Sequence, residues 1–239
     1  MKSLPPVALI VVLGILLAGC GEKKPVHVRV PAPPPPISEA EPPVETTGKP
    51  APPLPPEPAF VEVGMASWYG PPYHNRRAAN GEIFDMYALT AAHRTLPLGS
   101  TVRVTNVATQ QSVVVRITDR GPFVPGRVID LSLAAAKAID VWRPGTAKVK
   151  LEVLESPAPI DAGGRWCVQI GAMHDERTAL ELLDRLSRRY HTAKVVDFRS
   201  PVGTWWVRVR VSGDARERAE EVASSTQPEE GSVFLVRLD

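Results

Sequence analysis

Proline is the feature that most restricts what this chain can fold into. The sequence has 239 residues and 26 prolines, and the prolines crowd into residues 21–60, which hold few large apolar side chains. Proline has no backbone N–H and a fixed φ, so such a stretch cannot build a packed core. We predict that residues 21–60 form a semi-rigid polyproline spacer. A second break, residues 155–164, divides the rest of the chain into two units, 61–154 and 165–239.

The first twenty residues form an export signal. Lys2 precedes an apolar run from Val7 to Leu17, which is too short to span a bilayer comfortably. Small residues then lead directly to Cys20, an arrangement that resembles the lipobox of bacterial lipoproteins. The resemblance implies that residues 1–20 are a lipoprotein signal peptide and that Cys20 carries the acyl chains that hold the protein at a membrane. An uncleaved anchor helix is the alternative.

Gly21 follows this cysteine where Asp would favour retention at the inner membrane. We therefore expect the anchor to lie in the outer membrane and the protein to face the periplasm.

Charge and cysteine content exclude several classes of protein. Lys plus Arg number 28 and Asp plus Glu 26, and the basic residues are scattered, so no nucleic-acid-binding surface is predicted. Cysteine occurs only at Cys20 and Cys167. With Cys20 given to lipid no intramolecular disulfide remains, and Cys167 is predicted to be a small, partly buried hydrophobic residue.

The unit 61–154 has the alternating, β-branched patterns of strands. Strands are predicted at 62–68, 101–107, 112–118 and 147–153. The one clear helix is predicted from Leu133 to Ile139, with Ser132 as its N-cap.

The unit 165–239 reads strand, helix, strand, strand, helix, strand, which is the order of the split βαβ class. These elements are predicted at 166–170, 176–190, 193–198, 204–211, 215–224 and 233–238. Asp175 and Asp214 stand at the N-cap positions of the two helices. The whole chain is thus predicted to be mainly β, with an α+β unit after it.

Six motifs of the first unit occur in an order and spacing that point to one family. They are Ala66-Ser67-Trp68-Tyr69-Gly70, Ala79-Asn80-Gly81-Glu82, Leu89-Thr90-Ala91-Ala92-His93-Arg94-Thr95-Leu96-Pro97, Val104-Thr105-Asn106, Asp119-Arg120-Gly121-Pro122-Phe123 and Ile129-Asp130-Leu131-Ser132. Together they closely resemble the double-psi β-barrel of the RlpA (rare lipoprotein A) family. The resemblance implies a lytic transglycosylase that cleaves between N-acetylmuramic acid and N-acetylglucosamine without water. The expected product is a 1,6-anhydro end, and the preferred substrate is glycan stripped of stem peptides.

The chain departs from the family pattern at three positions, Asn75, Ala78 and Thr118. These changes bear on the shape of the substrate groove more than on the chemistry.

Cleavage of a glycosidic bond needs an acid for the leaving oxygen and a group that steadies the oxocarbenium-like transition state. The family's active-site positions fall on Glu82, Asp85, His93 and Asp119. The resemblance implies that Asp119 is the principal general acid and later the base that activates the sugar's 6-hydroxyl. Glu82 is then its electrostatic or acid/base partner, and Asp85 and His93 orient the pair.

Each of these assignments has a simpler alternative. Asp85 would then be a solvated loop acid, His93 a structural histidine, and Asp119 the partner of Arg120 in an ion pair.

The second unit begins with Arg165-Trp166-Cys167-Val168-Gln169-Ile170-Gly171-Ala172, which resembles the SPOR domain. That resemblance implies binding to denuded septal peptidoglycan. Strand alternation predicts that Cys167, Gln169, Trp206, Arg208 and Arg210 share one sheet face. We expect Gln169, Trp206 and Arg208 to bind glycan; an ordinary solvated sheet face is the alternative.

Other types of site find little support. Ser67, His93 and Asp119 are triad residue types without a nucleophile elbow, and His74, Asp85 and His93 lack a metal-ligand spacing. No metal and no cofactor are predicted.

The expected partners are glycan strands, the membrane through the lipid anchor, and proteins of the division septum. The competing function is a non-catalytic, peptidoglycan-binding lipoprotein that loosens or organises the wall, as the similarly folded expansins do.

Overall fold

The computed structural model describes residues 60–191 and 194–239. Cys20, the signal and nearly all of the proline-rich spacer lie outside these residues, so their expected roles stay predictions. The described helices include none that is both long and apolar enough to cross a bilayer.

The first unit is a closed barrel of six strands. The strands are β1 (Val61–Trp68), β2 (Thr90–His93), β3 (Thr101–Asn106), β4 (Ser112–Asp119), β5 (Arg127–Leu131) and β6 (Ala147–Glu155). Their order around the barrel is β1-β5-β2-β4-β3-β6; β1 pairs with β5, and β2 with β4, in parallel. Inward-facing Val104, Ile117, Ile129 and Leu151 are fully buried and fill the barrel. The predicted mainly β fold of this unit is confirmed.

Two barrel strands were not predicted from the sequence. Alternation identified β1, β3, β4 and β6, but all four residues of β2 are buried and β5 is only five residues long. A strand buried on both faces shows no period of two, so neither could be recognised by pattern. The helix α1 (Leu133–Ala138) follows β5, and its predicted N-cap is confirmed: the Ser132 hydroxyl accepts a hydrogen bond from the Ala135 amide at 3.2 Å.

The second unit has the predicted order of elements. They are β7 (Trp166–Met173), α2 (Glu176–Arg189), β8 (Lys194–Arg199), β9 (Trp205–Arg210), a 3₁₀ turn (Ser212–Asp214), α3 (Arg216–Ser225) and β10 (Ser232–Arg237). The strands form one antiparallel sheet in the order β10-β7-β9-β8. The apolar residues of β7 and β9, including Val168, Ile170, Val207 and Val209, pack under the helices.

One of the two predicted N-caps is wrong. Asp175 caps α2 by accepting the Thr178 amide at 2.9 Å, but Ala215 occupies the N-cap position of α3 and has no side-chain cap. Asp214 instead binds Arg210 and Arg165. Ionic pairing with two guanidinium groups has replaced the capping role at this position.

The other face of the second sheet is covered. Cys167, Trp206, Phe234 and Val236 form a small core there, and Phe123 from the barrel packs on it with its ring centroid 5.3 Å from that of Trp206. This face is therefore packed and not solvated, contrary to the alternative of an ordinary solvated sheet face. Cys167 is fully buried where partial burial was predicted, and burial raises the pKa of its thiol to about 11, which favours the protonated form.

Candidate functional site

Asp119 ends β4 at the floor of a cleft of about 1,090 Å³. Its Oδ1 accepts hydrogen bonds from the backbone amides of Ala79 at 3.0 Å and Arg120 at 2.8 Å. Among the described residues Oδ2 has no hydrogen-bond donor. Burial raises the pKa of this carboxyl, and the two amides oppose the rise. The residue is thus fixed in position while one oxygen stays available to a ligand.

The Arg120 side chain does not pair with Asp119 as an ion pair would. Its guanidinium donates to the carbonyl oxygens of His93 at 3.0 Å, Leu96 at 2.8 Å and Asp239 at 2.6 Å. Arg120 thus holds the chain beside the cleft and donates to Asp119 only through its backbone amide.

A second carboxyl, Asp130 on β5, lines the same cleft. Residue Ala92 of β2 stands opposite Asp119 on one side and opposite Asp130 on the other, so the two acids flank one small residue. Burial raises the pKa of Asp130 to about 6, against the opposing charges of Arg127 and Arg94. Asp130 belongs to one of the six family motifs, but no role was predicted for it. A single acid inside the apolar run of residues 128–131 was the signal that could have identified it.

Aromatic side chains form one wall of the cleft. Tyr69 stacks on Phe84 with a centroid distance of 4.3 Å, and Tyr73 meets Tyr69 edge-on at 5.8 Å. Burial raises the pKa of both tyrosines, and the charges of Asp119 and Asp130 add to the rise. Both phenols therefore stay protonated, and each lies within the electrostatic reach of both acids.

Glu82 does not line this cleft. Arg116 binds both of its oxygens, at 2.9 and 2.7 Å, on the outside of the barrel. This bidentate pairing lowers the pKa of Glu82 and keeps it ionised. The structure therefore does not bring Glu82 to Asp119 as an acid/base partner. Its loop does reach Asp119, because the Ala79 amide belongs to the same turn.

His93 also points away from the cleft carboxyls. Its Nδ1 accepts the amides of Thr95 at 3.2 Å and Leu96 at 3.0 Å, and Nε2 lies 3.0 Å from Oε2 of Glu62. Since Nδ1 is an acceptor, Nε2 carries the proton and donates it to Glu62. Burial lowers the pKa of the ring. The expected role as a direct orienter of the carboxyl pair is corrected: both ring nitrogens of His93 are occupied by structural partners.

Asp85 lies in an exposed turn beside Glu82. Its Oδ1 accepts the Tyr87 amide at 2.9 Å and stands 3.9 Å from Nδ1 of His74. These contacts suit the alternative of a loop acid that stabilises its own turn. The structure thus places Asp119 in the cleft and leaves Glu82, Asp85 and His93 outside it.

The three residues expected to bind glycan, Gln169, Trp206 and Arg208, line the same cleft as Asp119. The Arg208 guanidinium donates to Oε1 of Gln169 at 2.8 Å, and the Trp206 indole donates to the Thr204 hydroxyl at 3.0 Å. Gln169 and Trp206 line the cleft but are buried, and their expected binding of glycan stays a prediction. Arg208 is half-buried and is the most accessible of the three.

Within residues 60–191 and 194–239, no three His, Cys, Asp or Glu side chains are placed to share a metal ion. The expectation of no metal and no cofactor stays a prediction.

Two family models match the chain. One, described as a lytic transglycolase, matches residues 61–151, and the other, a SPOR domain, matches residues 162–236. They coincide with the barrel and with the α+β unit after it.

Proteins named as endolytic peptidoglycan transglycosylases RlpA resemble the chain. The one from Vibrio cholerae is 55% identical over 100 residues, covering 42% of this chain and 38% of that protein. The one from Neisseria meningitidis is 41% identical over 133 residues, covering 55% and 56%. A Synechocystis protein named as a probable member is 59% identical over 95 residues, covering 40% and 30%. The matched part of the chain thus spans between 30% and 56% of these relatives.

Among solved structures, an expansin from Clavibacter michiganensis is 17% identical, with a TM-score of 0.33, over 49% of this chain and 59% of that one. A likeness this slight bears on neither fold nor function.

Proposed function

We propose that the chain is a member of the RlpA family and an endolytic transglycosylase of peptidoglycan. The bond cut lies between N-acetylmuramic acid and N-acetylglucosamine, in strands without stem peptides, and the product is a 1,6-anhydro end. The observation that carries this proposal is Asp119. A buried carboxyl with one oxygen fixed by two amides and the other available in a cleft is suited to exchange protons with a bound sugar.

The proposed reaction needs no water as a reactant. The oxygen of the sugar's 6-hydroxyl attacks C1, the bond from C1 to the leaving oxygen breaks, and a carboxyl of the cleft moves the protons. Asp119 is the central acid/base group in this scheme. Tyr69 and Tyr73 offer an aromatic surface against which sugar rings pack.

Mass spectrometry of glycan strands tests the activity. Denuded strands and strands that keep their stem peptides are incubated with the purified protein, and the new ends are identified. We expect anhydro ends from denuded strands and far fewer from peptide-bearing ones. Reducing ends would indicate a hydrolase, and uncut strands that stay bound would favour the competing role of a non-catalytic wall-binding lipoprotein.

The second unit is proposed to deliver the enzyme to denuded glycan at the division septum. Support comes from the SPOR match over residues 162–236 and from Arg208, a half-buried residue that lines the cleft. Proteins of the division site are proposed as further partners. Deleting residues 162–239 is expected to abolish septal enrichment of a fluorescent fusion. A truncated fusion that still concentrates at septa would mean that another part of the chain finds the site.

Lipid attachment at Cys20 is proposed to hold the protein in the outer membrane, facing the periplasm. Acyl chains on one residue supply nearly all of the membrane affinity in such an arrangement. We expect a palmitate analogue to label the wild type and not Cys20→Ala. Equal labelling of the two proteins would reject the assignment.

A further inference from the structure

Asp130 is a buried acid whose hydrogen bonds are only partly satisfied. Its side chain is 15% exposed, and Arg127 Nη2 donates to Oδ2 at 3.2 Å. The other oxygen, Oδ1, is buried and has no hydrogen-bond partner among the described residues. A buried carboxyl oxygen without a donor is costly if the group is ionised, and the cost falls when the group carries a proton.

Asp119 has different hydrogen-bond partners, although burial raises the pKa of this carboxyl as well. Two backbone amides donate to its Oδ1, and amide donors favour the ionised form of a carboxyl. The fold thus gives two carboxyls on either side of Ala92, one arranged to hold a proton and the other to hold a negative charge. Pairs of acids whose environments separate their proton affinities are the usual basis of divided acid/base roles.

Glu82 does not reach the cleft, so the second carboxyl of the proposed reaction must be another residue. Arg116 binds both of its oxygens outside the cleft, whereas Asp130 lines the cleft together with Asp119. We propose that Asp130 is the proton donor to the leaving oxygen of the glycosidic bond. This inference rests on the proposed transglycosylase function and divides between two residues the work that a single acid would otherwise do.

Protons and electrons balance across the two carboxyls. The Asp130 carboxyl gives its proton to the glycosidic oxygen, and the bond from C1 to that oxygen breaks with its electron pair going to the oxygen. The 6-hydroxyl oxygen bonds to C1, and its proton passes to the Asp119 carboxylate. Asp130 ends ionised and Asp119 protonated, and exchange with solvent restores both after the product leaves.

Replacing Arg127 tests whether the protonation state of Asp130 controls the rate. The positive charge of Arg127 lowers the pKa of Asp130, which burial raises to about 6. An acid of this pKa loses its proton as the pH rises, so it sets the alkaline limb of the rate profile. Replacing Arg127 with glutamine removes the opposing charge and should move that limb upward by roughly one pH unit or more.

The experiment measures kcat/KM for release of anhydro ends against pH, with the full-length chain in detergent and denuded strands. The kcat/KM of Asp130→Asn is expected to fall by roughly 10²- to 10⁴-fold. Arg127→Gln is expected to move the alkaline limb of the profile to higher pH. Asp140→Asn and Arg143→Gln, on the exposed turn after α1, are the matched controls and should follow the wild-type profile. Circular dichroism confirms that each variant is folded.

A folded Asp130→Asn variant whose kcat/KM lies within threefold of the wild-type value would overturn the inference. The transglycosylase proposal would still stand if Asp119→Asn is inactive. If Asp130→Asn does not fold, the Arg127→Gln profile decides: an unmoved alkaline limb overturns the assignment, and a limb moved upward supports it. A wild type that releases no anhydro ends would refute the transglycosylase function and this inference with it.

Discussion

The carboxyls inside the cleft differ from those on the loop outside it in what surrounds each charge. Asp119 and Asp130 are largely buried, and burial raises the pKa of both. Glu82 is exposed, and the guanidinium of Arg116 lowers its pKa. A general acid works best when its pKa lies near the working pH. The residues suited to proton transfer are thus those that the barrel desolvates.

Asp119→Asn tests most strongly whether the buried carboxyls of the cleft carry out the proton transfer. An amide can neither give nor take the required proton, so turnover is expected to fall by roughly 10²- to 10⁴-fold. Asparagine is nearly isosteric and its Oδ1 can still accept the amides of Ala79 and Arg120, so the fold and glycan affinity should survive. Anhydro-end release and glycan pull-down are measured on the same preparation. A folded variant with near wild-type turnover would transfer the chemistry to another residue.

His93→Ala asks whether the histidine outside the cleft is structural. Removing its ring leaves the amides of Thr95 and Leu96 without an acceptor and creates a cavity. We expect a loss of about 3 to 5 kcal/mol in the free energy of unfolding, measured by urea titration. His191→Ala, at an exposed position, is the control and should change stability by less than about 0.5 kcal/mol. A stable His93→Ala variant without activity would instead restore a direct role in the site.

The fold could be predicted where side chains alternate or where a motif names a family. Strands β1, β3, β4 and β6 and the strands and α-helices of the second unit could be predicted from their sequence patterns, whereas the 3₁₀ turn Ser212–Asp214 was not predicted. The strands β2 and β5 did not, because parallel neighbours and a filled barrel bury both of their faces.

The site could be predicted only in part for the same reason. Asp119 ends a strand that alternation identified, whereas Asp130 lies in one that it did not. The positions of Glu82 and His93 depend on contacts with Arg116 and Glu62, which lie 34 and 31 residues away in sequence. Motif matching names such residues but cannot tell which way their side chains turn. The covered face around Trp206 likewise depends on Phe123, a residue of the other unit.

The dependence of the protein's stability on pH tests whether burial raises the pKa of Asp130. Its folded pKa of about 6 lies above the ordinary value of 3.8, so its contribution to stability is full below about pH 4 and is lost as the pH rises through 6. The difference corresponds to about 3 kcal/mol. Asp130→Asn should remove this dependence, so the variant gains stability relative to the wild type between about pH 4 and about pH 7. A constant difference between the two proteins in urea titrations would mean that Asp130 is not perturbed.

Glu82→Gln should have the smallest effect on turnover. Glutamine keeps one hydrogen bond to Arg116, and the loop that presents the Ala79 amide to Asp119 stays in place. We expect less than about a tenfold loss in kcat/KM, which is below about 1.4 kcal/mol. Asp85→Asn, in the neighbouring exposed turn, should behave alike. A loss as large as that of Asp119→Asn would show that Glu82 enters the cleft when glycan is bound.

Cleavage of denuded strands in water enriched with oxygen-18 separates transglycosylation from hydrolysis. In the proposed reaction the cleft carboxyls only move protons, and no water molecule attacks the sugar. Mass spectrometry of the new ends reports whether solvent oxygen entered the product. We predict unlabelled anhydro ends from the wild type and almost none from Asp119→Asn. Labelled reducing ends from the wild type, or unlabelled anhydro ends released by Asp119→Asn at the wild-type rate, would contradict the proposed mechanism.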